Sequence, residues 1–261
     1  MKSLESGSKF VLDLREVTVA SDVPYLLAKF PKTKMVYVGS SFCGRYFFSC
    51  REIVNAWKKK NVHVSLTVPI MSQNELREGK KLLREAAVDE IIVNDLGMYN
   101  YTSKELGYKV GLGRLFHKEP RDARFPMYLE RVVTPWIDIP GKVSSIELDP
   151  VANTMDLSQL KGDYEIALNH SYCYQSFGRI CKYASIHLDM EKKFRSDSTC
   201  AYECLHHYEI HVNELVPDSK SLIRVGKALI FENSNVLCLH RSPDRLLYYP
   251  ITELIERGGW Q

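Results

Sequence analysis

The sequence contains no apolar run approaching the roughly 18 residues that a membrane-spanning helix requires, so it predicts no membrane span. The polar stretch Met1–Lys9 lacks the apolar core of a signal peptide. Low-complexity tracts and internal repeats are also absent, and the net charge is only +3 in 261 residues. Such a small overall charge gives no reason to expect nucleic acid or a membrane surface as a partner.

Several catalytic signatures are missing. The chain has no G-x-S-x-G elbow, no H-E-x-x-H helix and no P-loop, so a conventional hydrolase has little support. Gly111-Leu112-Gly113 lacks the third glycine of a dinucleotide-binding loop. The most familiar nucleotide and hydrolase chemistries are therefore not predicted.

Cysteine is present seven times, an odd number whose spacing does not resemble a secreted disulfide framework. A reducing cytoplasm is the simpler expectation. Hydrophobic residues make up 45% of the chain, and its length is sufficient for one barrel-sized domain with a large core.

Short apolar segments alternate with helical patterns along the first two-thirds of the chain. The predicted strands are Lys9–Leu14, Lys34–Val38, Val62–Val68, Glu90–Val93, Tyr108–Leu112, Val143–Leu148, Tyr164–Leu168 and Arg245–Tyr249. The predicted helices are Val23–Phe30, Gly44–Lys60, Gln73–Ala87 and Ser103–Leu106. Strands separated by helices are typical of a parallel sheet, and eight of them predict an α/β fold with a (β/α)8, TIM-barrel-like architecture.

A long gap, about residues 170–244, separates the seventh and eighth predicted strands. It contains the cysteines at positions 173, 181, 200 and 204, and predicted short strands at Tyr208–Asn213, Lys227–Phe231 and Val236–His240. No Pro/Gly linker isolates it. We therefore expect a single domain, residues 1–261, with a functional insertion between strands 7 and 8.

Polar and thiol side chains follow the ends of the predicted strands. They are Cys43, Asn94, Asp95, Arg114, Asp149, His170 and Cys181. Because a barrel builds its active face where its strands finish, these groups predict a site at one rim. Arg114 begins a basic stretch with Lys118 that could bind a carboxylate or phosphate, whereas Asn94 and Asp95 could instead cap a helix.

Four cysteines form a candidate metal site. Cys200 and Cys204 enclose three residues, so on a helix both sulfurs would lie on one side, one turn apart. Together with Cys43 and Cys181 they could bind zinc or an iron–sulfur cluster. Ligands this far apart in sequence need a rigid scaffold, which favours a cluster enzyme over a zinc finger. Of the other cysteines, Cys50 and Cys238 are predicted to lie in the core and Cys173 is ambiguous.

Several segments resemble those of a known family. They are Met35–Gly39 followed by Cys43, Val64–Val68, Val93–Gly97, Gly113-Arg114-Leu115 with Lys118 and Arg121–Arg124, Gly178–Cys181 followed by Cys200 and Cys204, and Asp244–Pro250. In these segments the chain resembles peptidase family U-32, the collagenase-like family. The resemblance is to its small members related to the anaerobic ubiquinone-hydroxylation iron–sulfur proteins. It implies a barrel and a 4Fe–4S cluster held by Cys43, Cys181, Cys200 and Cys204, with zinc as the alternative metal.

The resemblance also implies a reaction class, oxygen-independent hydroxylation or a related redox modification of a small molecule or RNA. Asn94, Asp95 and Arg114 are then the expected catalytic residues, and Lys118, Asp149 and His170 the expected substrate contacts. A second family member would be the partner in a heterodimer. Two alternatives stay open: a peptidase, for which no nucleophile is evident, and a non-catalytic partner subunit with a structural metal.

Overall fold

The computed structural model describes most of the chain. Its described residues are 7–16, 18–117, 124–178, 181, 183, 189, 191, 200, 202–212, 214–215, 218 and 220–257, with the side chain of residue 206 left out. Every structural statement below concerns these residues.

Eight parallel strands close into a barrel. They are β1 (Lys9–Asp13), β2 (Met35–Gly39), β3 (His63–Val68), β4 (Glu90–Val93), β5 (Val110–Leu112), β7 (Ser145–Leu148), β9 (Glu165–Asn169) and β15 (Arg245–Tyr248). The first and last of them pair with each other, with Lys9 opposite Arg245. All eight correspond to predicted strands, so the predicted (β/α)8 architecture is confirmed.

Burial explains why these segments form strands. All five residues of β2 are buried, as are all four of β4, which is the near-continuous apolar pattern of a parallel sheet covered on both faces. Alternate side chains enter different clusters: Val11 and Leu247 lie in the barrel interior, whereas Leu12 and Leu246 join the main core between strands and helices.

Helices lie between the strands. They are α1 (Val23–Lys29), α2 (Gly44–Ser49), α3 (Arg51–Lys58), α4 (Gln73–Glu85), α5 (Leu96–Asn100), α6 (Met127–Glu130) and α7 (Ile251–Glu256). The helix predicted from Gly44 to Lys60 is interrupted at Cys50, and the one predicted at Ser103–Leu106 is a π-helical continuation of α5. Within the described residues, no helix is both long and apolar enough to cross a membrane.

The segment between β9 and β15 forms a small antiparallel sheet. Its strands are β10 (Tyr172–Phe177), β11 (Tyr208–His211), β12 (Leu222–Val225) and β13 (Ala228–Glu232), in the order β10-β13-β12-β11. A third sheet joins β6 (Val132–Val133), β8 (Thr154–Asp156) and β14 (Leu237–Leu239). Sequence reasoning missed β6 and β8, which are only two and three residues long, and also β10 and β12, because neither of these two segments is apolar along its whole length.

Charged residues enter the barrel interior near its amino end. Glu90 of β4 pairs with Arg245 of β15 at 2.5 Å, and both side chains are almost fully buried. The Glu90 carboxylate also accepts hydrogen bonds from Ser65 (2.7 Å) and Ser145 (2.9 Å). Opposite charges and hydroxyl donors thus offset the cost of removing Glu90 from water.

Candidate functional site at the carboxyl end of the barrel

A second charged network lies at the opposite end of the barrel. Arg15 follows β1, and its Nε donates to Asp13 Oδ1 at 2.7 Å. Its two terminal nitrogens donate to the Glu147 carboxylate at 2.8 and 2.7 Å. This bidentate geometry is the strongest form of arginine–carboxylate pair. All three side chains are buried, so the network belongs to the interior of the molecule.

Arg114 joins the same network from the turn after β5. Its Nε donates to Glu147 Oε1 at 3.0 Å and lies 3.6 Å from Asp149 Oδ2, while a terminal nitrogen donates to Asn169 Oδ1. The guanidinium also lies 5.6 Å from the centre of the Tyr174 ring. Its charge is therefore already neutralised by carboxylates of the protein.

Glu147 is the centre of this network. Burial alone would raise the pKa of its carboxyl group, but the charges of Arg15 and Arg114 lower that pKa to about 2. The Asn169 amide also donates to Glu147 Oε1 at 2.9 Å. Glu147 is consequently a permanent anion, suited to fixing two arginines rather than to exchanging protons near neutral pH.

The loop from β2 to α2 is fixed by Glu16. Its Oε1 accepts hydrogen bonds from Ser40 Oγ (2.9 Å) and from the backbone N–H groups of Ser41 (2.7 Å) and Phe42 (3.1 Å). Ser40 Oγ in turn accepts from the backbone N–H of Cys43 at 2.7 Å. Two successive hydrogen bonds, from the Cys43 N–H to Ser40 Oγ and from Ser40 Oγ to Glu16, thus connect Cys43, the N-cap residue of α2, to a buried carboxyl group.

The inserted sheet brings the other three cysteines towards this loop. Phe42 stacks on Phe177 of β10, with ring centres 4.9 Å apart. The backbone N–H of Gly178, three residues before Cys181, donates to the carbonyl of Lys227 at 3.0 Å. Lys227 lies in the turn between β12 and β13, so one hairpin turn positions the chain that leads to Cys181.

The same hairpin turn lies beside Cys204. A Cβ atom placed on Gly226 would be 4.0 Å from the Cβ of Cys204. Tyr202, between Cys200 and Cys204, donates from its hydroxyl to the carbonyl of Arg45 at 3.4 Å, so the 200–204 segment also contacts α2. The 200–204 segment therefore contacts both the hairpin turn of the inserted sheet and the helix that follows Cys43.

Electrostatics are consistent with this convergence. Burial raises the pKa of the Cys204 thiol, and the charges of Cys181, Cys43 and Cys200 raise it further. Burial also raises the pKa of Cys43, whereas Lys227 lowers it. Since such charge effects act over short distances, the four thiols share one region, and Lys227 provides a nearby positive charge. Their soft sulfur donors fit an iron–sulfur cluster or zinc chemically.

The remaining cysteines lie elsewhere. Cys50 is buried in the main core, as predicted, and Cys238 lies half-buried in β14 beside that core. Cys173 is buried in a small cluster with Leu129 and Phe231. Among the described residues, no group of three or more His, Cys, Asp and Glu side chains is arranged so that it could hold a metal ion.

The predicted catalytic residues at the end of β4 have structural partners. Asn94 Nδ2 donates to the Val68 carbonyl at 2.9 Å, and Asn94 Oδ1 accepts from the Leu115 N–H at 3.3 Å. Asp95 Oδ1 accepts from the N–H of Met98 at 2.9 Å and caps α5. Asp95 is thus a helix cap, which is the alternative that the sequence left open. A direct role of Asn94 or Asp95 in positioning a substrate stays a prediction.

The predicted substrate contacts are dispersed. Asp149 is fully buried beside Arg114, and its Oδ1 accepts from the N–H of Tyr174 at 3.3 Å. His170 follows β9 and is half-buried, and burial lowers the pKa of its ring. Lys118 lies outside the described residues. The structure brings Arg114 and Asp149 together.

A small cavity lies between the charged network and the inserted sheet. Its volume is about 20 Å³, and Arg15, Glu16, Arg114 and Ile230 are among the residues that line it. This space suits one water molecule rather than a substrate. The cavity is therefore too small to hold a substrate.

Sequence reasoning missed five members of the site: Asp13, Arg15, Glu16, Glu147 and Asn169. Each lies at or just after the end of an apolar strand, and each is buried. The sequence feature that could have indicated them is a charged residue within an apolar strand, such as Glu147 in Ser145–Leu148. Comparisons with known proteins do not extend this description, because no family model matches the chain and no curated protein or solved structure matches it significantly.

Proposed function

We propose that this chain is an iron–sulfur protein related to peptidase family U-32, with a 4Fe–4S cluster bound by Cys43, Cys181, Cys200 and Cys204. The observation that supports this proposal is that Cys204 and the chain leading to Cys181 lie beside the Gly226–Lys227 turn, at the carboxyl end of the barrel, and that the same lysine acts on Cys43. When bound by four thiolates, such a cluster supplies one-electron transfer or structural support. Its irons then lack an open protein site for direct substrate activation.

The protein residues around the cysteines have distinct roles in this proposal. Glu16 and Ser40 hold the Cys43 loop in one conformation through their hydrogen bonds. Lys227 offsets part of the negative charge that four thiolates would introduce. The inserted sheet delivers the remaining ligands, so the binding site needs both the barrel and the insertion.

The proposed reaction class is an oxygen-independent hydroxylation or a related redox modification of a small molecule or RNA in the cytoplasm. Asn94, Asp95 and Arg114, with Lys118, Asp149 and His170, form the proposed substrate side of the rim. A second, related chain is the proposed partner. The resemblance of the sequence segments supports these assignments.

A second candidate is a non-catalytic partner subunit whose metal stabilises the fold. Two observations favour it. The cavity beside Arg114 has a volume of only about 20 Å³, and the Arg114 charge is already neutralised by Glu147 and Asp149. A His170→Gln variant separates the candidates, because it should impair an enzyme but leave the activity of a complex unchanged if this subunit is not catalytic.

Anaerobic purification with iron, sulfide and zinc analysis tests the proposed metal site. We expect about four iron and four sulfide ions per chain, with a broad absorption near 400 nm. Changing Cys200 or Cys204 to serine should remove most of the iron, because serine is a poor ligand for a soft metal. Cys238→Ser, at a half-buried position in β14, is the matched control and should retain it.

The outcomes are distinct. One zinc ion per chain in a colourless protein would eliminate the redox function and leave a structural or hydrolytic role. Iron retained in the Cys200→Ser and Cys204→Ser variants would refute the ligand assignment. Anaerobic protein without any metal would mean that the four cysteines are structural.

A further inference from the structure

A large concavity lies at the amino end of the barrel, opposite the cysteines. Its volume is about 1,230 Å³, and its walls come from the residues that precede or begin the barrel strands. Met35, His63 and Arg245 are among the residues that line it. We call this feature the basic concavity, because of the charges described next.

Cations outnumber anions around the basic concavity. The cations are Lys9, Lys32, Lys34, Lys104, Lys109, Lys142, Arg241 and Arg245, and the anions are Glu90, Asp163, Glu165 and Asp244. Three of these anions are already paired within the protein: Glu90 with Arg245, Glu165 with Lys9 and Arg245, and Asp244 with Arg241. The concavity therefore carries more positive charge than its own carboxylates neutralise.

Five lysines account for this excess. They are Lys32, Lys34, Lys104, Lys109 and Lys142, all exposed and without an ion-pair partner in the described part of the chain. Lys32 and Lys34 precede β2, Lys109 and Lys142 lie in the loops before β5 and β7, and Lys104 lies in the π-helical segment after α5, so the five lysines come from different sides of the opening. A concave wall with one sign of charge concentrates counter-ions inside it.

The walls of the basic concavity also contain polar and aromatic side chains that could make directional contacts with a ligand. Neither the Tyr164 hydroxyl nor His63 Nε2 has a hydrogen-bond partner among the described residues, although both atoms are buried. Arg241 lies over the Tyr164 ring at 5.5 Å. Tyr108 is fixed by a hydrogen bond from its hydroxyl to the Ala86 carbonyl, which leaves an ordered ring in the wall. An aromatic face of this kind can stack on a planar base.

We propose that the basic concavity binds a small molecule with several phosphate groups, of the nucleoside triphosphate class. Lysine ammonium groups bind phosphate as point charges, and several of them around one opening match a ligand with several charges. The volume is ample for such a ligand. A nucleic acid strand would instead need a groove that continues across the surface, whereas this concavity is confined to the amino end of the barrel.

Titration calorimetry at low salt, with ATP, AMP and inorganic triphosphate as probes, tests the proposal. We expect ATP and triphosphate to bind more tightly than AMP, with affinities that fall as salt is added. Lys109→Glu combined with Lys142→Glu should weaken binding by about tenfold or more, because two of the unpaired charges are reversed. Lys81→Glu, at an exposed lysine of α4 outside the concavity, is the matched control.

Each result has a defined meaning. Equal affinity for ATP and triphosphate would support recognition of phosphates alone, and tighter binding of ATP would add recognition of the nucleoside. Absence of binding by both probes, or equal loss in the control variant, would overturn the proposal. Binding of an RNA oligonucleotide without binding of ATP would overturn it in favour of a nucleic acid. Circular dichroism of the variants verifies folding, which these exposed substitutions should leave intact.

Discussion

At the scale of single residues, the most prominent feature is the network of buried charged side chains at the carboxyl end of the barrel. Arg15 and Arg114 share the carboxylate of Glu147, Asp13 pairs with Arg15 and lies 3.8 Å from Arg114, and Asp149 lies 3.6 Å from Arg114. Removing one member of such a network leaves its partners charged, buried and incompletely paired. That loss costs more than the intact network contributes to stability.

Glu147→Gln is therefore expected to lower the free energy of unfolding by about 3 kcal/mol or more at pH 7. Glutamine keeps the shape of the side chain but removes the charge that both arginines require. Urea unfolding monitored by circular dichroism measures the effect. Glu85→Gln, which alters an exposed pair with Arg51, is the control and should change stability by less than about 1 kcal/mol.

The same variant has a defined pH dependence. Because the folded-state pKa of Glu147 is depressed to about 2, its stabilisation is complete above the unfolded-state pKa, near 4.3, and is lost as pH falls towards 2. The difference in stability between wild type and Glu147→Gln should consequently shrink over this interval. A difference that stays constant down to pH 2 would contradict the assigned role of Glu147.

At the scale of elements, the candidate site depends on contact between the β2–α2 loop and the inserted sheet. Phe42 is the central side chain of this contact, since its ring lies 4.9 Å from that of Phe177 and 5.3 Å from that of Tyr174. Cys43 follows Phe42 directly in the chain, and Phe177 ends β10 shortly before Cys181. Packing between these rings therefore holds the loop that carries Cys43 against the strand that leads towards Cys181.

Phe42→Ala should destabilise the protein by about 3 kcal/mol, because it leaves a cavity between the barrel and the insertion. Under the proposed function, iron should also be lost faster from this variant during dilution into a chelator. Phe125→Ala, where the aromatic side chain is 39% exposed, is the matched control and should have a small effect on both measurements. Normal iron retention in Phe42→Ala would show that this contact does not position the cysteines.

At the scale of the whole molecule, the barrel closes only when the last strand is present. β15 pairs with β1 on one side and with β9 on the other, and Arg245 on this strand reaches Glu90 on β4 inside the barrel. The closing strand follows the inserted sheet in sequence. The insertion is thus enclosed between two strands of the barrel rather than attached at its end.

A chain truncated after residue 243 should fail to form a stable monomer. Loss of β15 exposes the edges of β1 and β9 and leaves Glu90 buried without Arg245. Size-exclusion chromatography and circular dichroism should find aggregates or an unfolded chain. A truncated monomer with cooperative unfolding would contradict this view of barrel closure, and the full chain purified in parallel is the control.

The sequence by itself determined the barrel and its topology. Periodicity reports local burial, and each strand of a closed parallel barrel is buried on both faces, so runs such as Met35–Gly39 are visible without any tertiary information. The location of the polar rim follows from the same strand ends. The strands β10 and β12 were missed because their residues alternate in environment within a small sheet, where short segments give a weak signal.

Only the tertiary structure decided which polar residues act together. Asp13 and Glu147 lie far apart in sequence, and the shared contact with Arg15 exists because barrel closure brings β1 and β7 to one end of the molecule. The five unpaired lysines of the basic concavity come together from separate parts of the chain for the same reason. Burial patterns are local properties of the chain, whereas ion pairs, cavities and the approach of Cys43 to Cys204 depend on strands that meet only after folding.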